Sequence, residues 1–64
     1  MTPDEYRAAL STLGLSVEQA GAWLGVSRRT AFNYASDGPS PPAARAIQLL
    51  LSLSAEDRER ELSK

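Results

Sequence analysis

The sequence predicts an all-α domain of four or five short helices. Three observations carry this expectation. Apolar residues recur at i, i+3, i+4 and i+7 in successive segments, the spacing of a helix with one buried face. Each segment opens on a Ser or Thr suited to N-capping, and the first three are followed by glycine. No segment reads as a strand.

The first helix opens with Thr2-Pro3-Asp4-Glu5. Thr2 can cap, Pro3 suits the first helical position, and Glu5 stands three residues after the cap to close a capping box. Asp4 and Glu5 also favour the positive end of the helix dipole. Tyr6, Ala9, Leu10 and Leu13 form the apolar stripe, and Gly14 ends the segment. The second helix opens at Ser16, with Gln19 completing a second capping box. Val17, Ala20, Gly21 and Leu24 form its stripe. Gly21 inside a helix costs about 1 kcal/mol against Ala, and close helix–helix approach is the return expected for it. Gly25 stops this helix.

Ser27 caps a third helix over 28–36, with Gly38 as its stop. At about 100° per residue, Ala31, Tyr34 and Ala35 fall on one side and Arg28, Arg29, Phe32 and Asn33 on the other. Asp37-Gly38-Pro39-Ser40-Pro41-Pro42 reads as a turn. Ser40 then caps a fourth helix with Pro41 at its first position. Ala43, Ala46, Ile47 and Leu50 are its main stripe, and Leu49, Leu51 and Leu53 widen the apolar surface. Ser54-Ala55-Glu56-Asp57 can cap a short helical tail. The charged run from Arg58 to Lys64 is expected to fray, with Leu62 its main apolar anchor. Residues 1–54 thus form one domain and 55–64 a charged tail. The expected core is Leu10, Leu13, Val17, Ala20, Leu24, Val26, Ala31, Ile47 and Leu50.

Composition narrows the function. The 64 residues are 42% hydrophobic and 23% charged, ordinary for one small globular domain. With no Cys and no His, disulfides, the usual zinc sites and Ser–His or Cys–His catalysis are excluded. There is no phosphate-binding loop. Glu56, Asp57, Glu59 and Glu61 alternate with Arg58 and Arg60 as a solvated face does, with nothing to bury them. No enzymatic activity, cofactor or metal is expected. Residues 1–54 hold four Arg against four Asp and Glu, and the last ten hold three cations against four anions. This balance argues against strong non-specific DNA affinity and leaves specific binding open, because distribution matters more than the sum. No apolar run approaches the ~18 residues of a membrane span, and no signal-peptide pattern is visible. A cytoplasmic protein without a membrane partner is expected.

The chemistry concentrates in the middle. Two short helices are joined by Gly25-Val26-Ser27, a turn length that can set helices at about 90–120°. The second helix projects free backbone N–H groups and two arginines, and such a helix end favours a phosphate. Arg28 or Arg29 can make a bidentate contact with guanine O6 and N7. Phe32 can meet a thymine methyl and Asn33 an adenine edge, while Phe32 equally fits a core or dimer position and Asn33 an exposed polar one. Ser27 and Thr30 serve as caps or surface hydroxyls first and phosphate donors second. Arg45, in the first turn of its helix, fits a phosphate contact or a surface role. Trp23 fits the core edge or a partner contact.

The run from Leu15 to Thr30, LSVEQAGAWLGVSRRT, resembles the helix-turn-helix of the Cro/C1-type family, related to phage repressors. The chain is similar to small bacterial and phage members of that family. The opening Met1-Thr2-Pro3-Asp4-Glu5-Tyr6-Arg7, the pair Leu13-Gly14 and the stretch Tyr34-Ala35-Ser36-Asp37-Gly38 carry this narrower likeness, with the proline-rich turn and leucine-rich helix that follow. The match covers about residues 2–53. It implies a lambda-repressor-like helix-turn-helix domain that binds operator DNA, often as a dimer, with residues 28–36 as recognition helix. Several positions depart from the family. Val17 stands where Gln is frequent, Gly21 where Ala is usual, and Ala31 where a β-branched aliphatic is usual. Phe32, Asn33 and Tyr34 stand where the narrower group commonly has Arg, Arg and Trp.

The expected function is sequence-specific duplex DNA binding in transcriptional regulation. Arg28, Arg29, Phe32 and Asn33 would read bases in the major groove, and Ser27, Thr30 and Arg45 would hold phosphates. A homodimer would reach two half-sites about 34 Å apart, with Leu49, Leu51, Leu53 and Leu62 as its surface. The alternative is a protein-interaction or dimerisation module with the same fold and little DNA affinity.

Overall fold

Every helix begins on a hydroxyl side chain. The computed structural model describes residues 1–63, which form α1 (Pro3–Leu13), α2 (Val17–Leu24), α3 (Arg28–Asp37), α4 (Pro41–Ser52) and α5 (Ala55–Leu62), with no strand among the described residues. Thr2, Ser16, Ser27, Ser40 and Ser54 each have extended backbone and accept a bond from the amide three residues on. Such a cap contributes about 1 kcal/mol. Both expected capping boxes close. Thr2 N–H donates to Glu5 Oε1 at 2.9 Å and Ser16 N–H to Gln19 Oε1 at 2.9 Å. The α2–α3 turn depends on Gly25, whose φ of +77° is a left-handed conformation that side chains disfavour.

The stripes meet around α1. Tyr6, Ala9, Leu10 and Leu13 cluster with Ala20, Ile47 and Leu50. Helix α1 touches α2, α3 and α4, while α3 rests chiefly on α2 and α1. Arg7 reinforces this with a hydrogen bond to the Ala35 carbonyl of α3 and an ion pair to Asp4. The charged tail is helical through Leu62 and is held to α4 by Arg58 Nη2, which donates to the Leu51 carbonyl at 3.1 Å. Lys64, the last residue of the expected tail, lies outside the described residues.

Gly21 sets the α2–α3 approach. A Cβ built there would lie 2.4 Å from the Cβ of Ala31, far inside van der Waals contact. Ala31 is fully buried at this crossing. The small inner face of α3 therefore allows the helix to seat tightly.

The core differs from expectation at its edges. Leu10, Leu13, Ala20, Ala31, Ile47 and Leu50 are buried, whereas Val17, Leu24 and Val26 are only partly so. The reason is the same close approach: with glycine and alanine at the crossing, the larger side chains of α2 lie beside the contact. Val26 and Leu24 line a small cleft with Tyr34, Pro42 and Ala46. In their place Tyr6, Ala9, Ala43 and Ala44 are buried. Helix α3 also runs to Asp37, one residue past the expected end.

Tyr6 is fully buried, edge-on to Tyr34 with centroids 6.1 Å apart. The Tyr34 hydroxyl pairs with Ser40 Oγ at 3.2 Å, but the Tyr6 hydroxyl has no hydrogen-bond partner among the described residues.

Two predictions follow from this packing. Gly21→Ala raises helix propensity yet lowers stability by about 1–2 kcal/mol, because overpacking outweighs propensity. In an Ala31→Gly background the same change becomes stabilising, and urea unfolding of the four proteins measures the reversal. Additive effects across the cycle would rule the contact out as the cause.

The second prediction concerns pH. Thr2 holds the Glu5 carboxyl below its usual value, first through its backbone N–H. That contribution is present above the unfolded pKa and is lost as pH falls through the folded one. Burial, with Tyr34 second, raises the Tyr6 phenol above 10.0. Its neutral form is therefore favoured by folding, and stability falls as pH rises from there through the folded value. Tyr6→Phe removes the orphan hydroxyl and is expected to stabilise by about 1 kcal/mol and to flatten the alkaline limb of a melting-temperature profile. Glu5→Gln flattens the acid limb.

Candidate nucleic-acid interface

Ala31 is buried and Thr30, Tyr34 and Ala35 are half-buried, so the remaining residues of α3 face out. Arg28, Arg29, Phe32 and Asn33 are all exposed, on the arc expected of them. Phe32 is 44% exposed, too much for a core residue. Ser36 and Asp37 continue the same arc, so its C-terminal end carries an anion. The four residues chosen for base contact thus share one surface, immediately after the turn.

The hydroxyls at the helix start are partly committed. Ser27 Oγ accepts from Thr30 N–H at 3.2 Å and its hydroxyl donates to Thr30 Oγ1 at 3.0 Å. The hydroxyl proton of Thr30 is left to donate outward, although Thr30 is half-buried. Arg29 makes no ion pair among the described residues. Arg45 likewise makes none and is exposed on α4, opposite the buried Ala43, Ile47 and Leu50. No hydrogen bond or ion pair joins it to α3, so its place in a shared surface rests on α4 alone.

Glu18 is the residue that sequence reasoning missed. Its Oε1 accepts from Arg28 Nη2 at 2.8 Å. The Arg28 guanidinium carbon also lies 5.9 Å from the Phe32 ring centroid, a cation–π distance. The ion pair crosses the α2–α3 turn over ten positions, a separation that no helical periodicity marks. Only the seating of α2 on α3 brings the two together.

The leucines expected at a dimer surface divide. Leu49 is 60% exposed. Leu51, Leu53 and Leu62 are partly buried and pack against the protomer's own core. Folding of α5 onto α4 takes up part of the apolar surface that had looked surplus. Trp23 also packs on the core edge and lines two clefts, one with Leu15, Ala22 and Leu62 and the other with Ala46, Leu49 and Leu50. On the α2 wheel Trp23 lies about 140° from Glu18, so this apolar surface is separate from the α3 arc.

No protein-family profile, curated protein or solved structure matches the chain. Among the described residues, no helix is long and apolar enough to cross a membrane.

Proposed function

We propose that this chain binds duplex DNA sequence-specifically, as a lambda-repressor-like helix-turn-helix domain acting in transcriptional regulation. One observation carries the reading. Arg28, Arg29, Phe32 and Asn33 stand together on the exposed arc of α3, directly after the turn that follows α2. In this reading α3 enters the major groove. The Arg28 fork meets a guanine edge, Asn33 meets adenine and Phe32 meets thymine methyls. Ser27 serves mainly as the cap, while Thr30, Arg29 and the α3 N-terminus meet the backbone. Arg45 meets phosphate from α4.

The dimensions favour two copies. The Cα trace is 30 Å along its longest axis, and it carries one such helix. Two half-sites lie about 34 Å apart, so one copy serves one half-site. Leu49 and the cleft beside it, with Trp23 at its edge, are assigned to the homodimer contact, with Leu51, Leu53 and Leu62 supporting it from within the protomer. This exposed apolar surface is also what favours the second reading, a protein-interaction module with little DNA affinity.

Selection from a randomised duplex pool at about 0.1 M salt, where the Debye length is about 10 Å, tests the proposal. An enriched inverted repeat with one-turn spacing is the expected result. Absence of enrichment with folded protein would sink the DNA reading and favour the interaction module. Arg29→Glu is expected to abolish binding to the enriched duplex with helix content and sedimentation unchanged. Leu49→Glu is expected to lower dimer affinity while half-site binding persists.

A further inference from the structure

Arg28 and Glu18 form an ion pair where a simple phosphate-binding surface would carry only cations. Arg28 is first in α3 and Glu18 second in α2. Two groups touch the guanidinium, Glu18 Oε1 at 2.8 Å and the Phe32 ring at 5.9 Å. Both contacts favour one placement of a long side chain that would otherwise sample many rotamers. The two side chains are 75% and 54% exposed. A pair this exposed contributes little to stability. Its consequence lies in how the charge of Arg28 is offered.

A phosphate and a guanine edge ask different things of an arginine. Phosphate affinity follows uncompensated charge and the counterions it displaces. Guanine recognition depends on directed hydrogen bonds to O6 and N7. Glu18 offsets part of the charge but engages one of the five N–H donors of the guanidinium. The remaining donors keep a fork that can serve a guanine. Arg29, one residue on and without an ion pair among the described residues, keeps its full charge for the backbone.

Resting on the DNA-binding reading, we infer that Glu18 is a positioning residue for base selection. It holds Arg28 ready for a guanine edge and withholds it from phosphate. Specificity is gained by lowering affinity for the wrong DNA as well as by contacts to the right one.

The test uses the full chain and two short duplexes, one of alternating G·C and one of alternating A·T pairs, titrated across salt concentrations. The wild-type chain is expected to prefer the G·C duplex about tenfold, within the range of one good bidentate contact. Glu18→Gln is expected to tighten binding to the A·T duplex about three- to tenfold and to steepen its salt dependence by about one phosphate equivalent. The G·C preference narrows accordingly, and the thermal midpoint stays at the wild-type value. In an Arg28→Ala background, Glu18→Gln leaves the preference unchanged. An unaltered preference and salt slope in Glu18→Gln overturns the inference. So does the same shift in the Arg28→Ala background, which assigns the effect to overall charge. Equal wild-type binding to both duplexes overturns the role of Glu18 and leaves duplex binding standing. Binding to neither, with a site enriched from the randomised pool, overturns the inference and leaves the DNA reading standing; with no site enriched, both fall.

Discussion

The arrangement of this molecule depends on the meeting of Gly21 with Ala31. A helix surface without side-chain bulk at one point lets the Ala31 Cβ of α3 occupy the space that a side chain at Gly21 would take. The penalty of glycine inside a helix, about 1 kcal/mol, is offset by that packing. Everything placed outward on α3 follows from this seating. Ala31 lies against Gly21, Tyr34 against Tyr6, and the Ala35 carbonyl is held by Arg7, so these contacts engage the inner side of the helix. The arc carrying Arg28, Arg29, Phe32 and Asn33 is what remains.

Pairing within and between helices sets how the charge is distributed. A chain with a formal net charge of −1 is a poor polyelectrolyte ligand for DNA. Position matters more than the sum. Arg7 is occupied between Asp4 and α3, Arg60 is paired with Asp57, and Arg58 is held against α4. Arg28 is compensated by Glu18. Such a surface has modest general attraction for phosphate and a few well-directed donors, the balance expected of a protein that relies on base contacts more than on charge.

Much of the fold was legible because short-range rules govern it. The hydroxyl caps, the two capping boxes, Gly14 and Gly25 and the proline at the start of α4 each act within four residues, and each helix begins where they indicate. The outward arc of α3 was legible from periodicity alone. What escaped was set by tertiary contact. Tyr6 is wholly buried, edge-on to Tyr34, and its hydroxyl has no partner among the described residues, which its place on the stripe did not reveal. Val17, Leu24 and Val26 read as core by hydropathy, yet the tight crossing leaves them at the rim. The leucines of α4 read as one surplus surface, whereas α5 folds back and leaves only Leu49 strongly exposed. Glu18 could not be read as a partner of Arg28, because their meeting depends on the angle between two helices.

The central claim is that the outward arc of α3 is the surface that meets DNA. A backbone-amide NMR titration of the labelled chain with duplex DNA tests it most directly. The account predicts shifts concentrated from Ser27 to Asn33, with the Trp23 indole and the Leu49 amide unmoved when the duplex carries a single half-site. Shifts centred instead on Trp23, Leu49 and Leu62, or no shifts at any ratio, would contradict it.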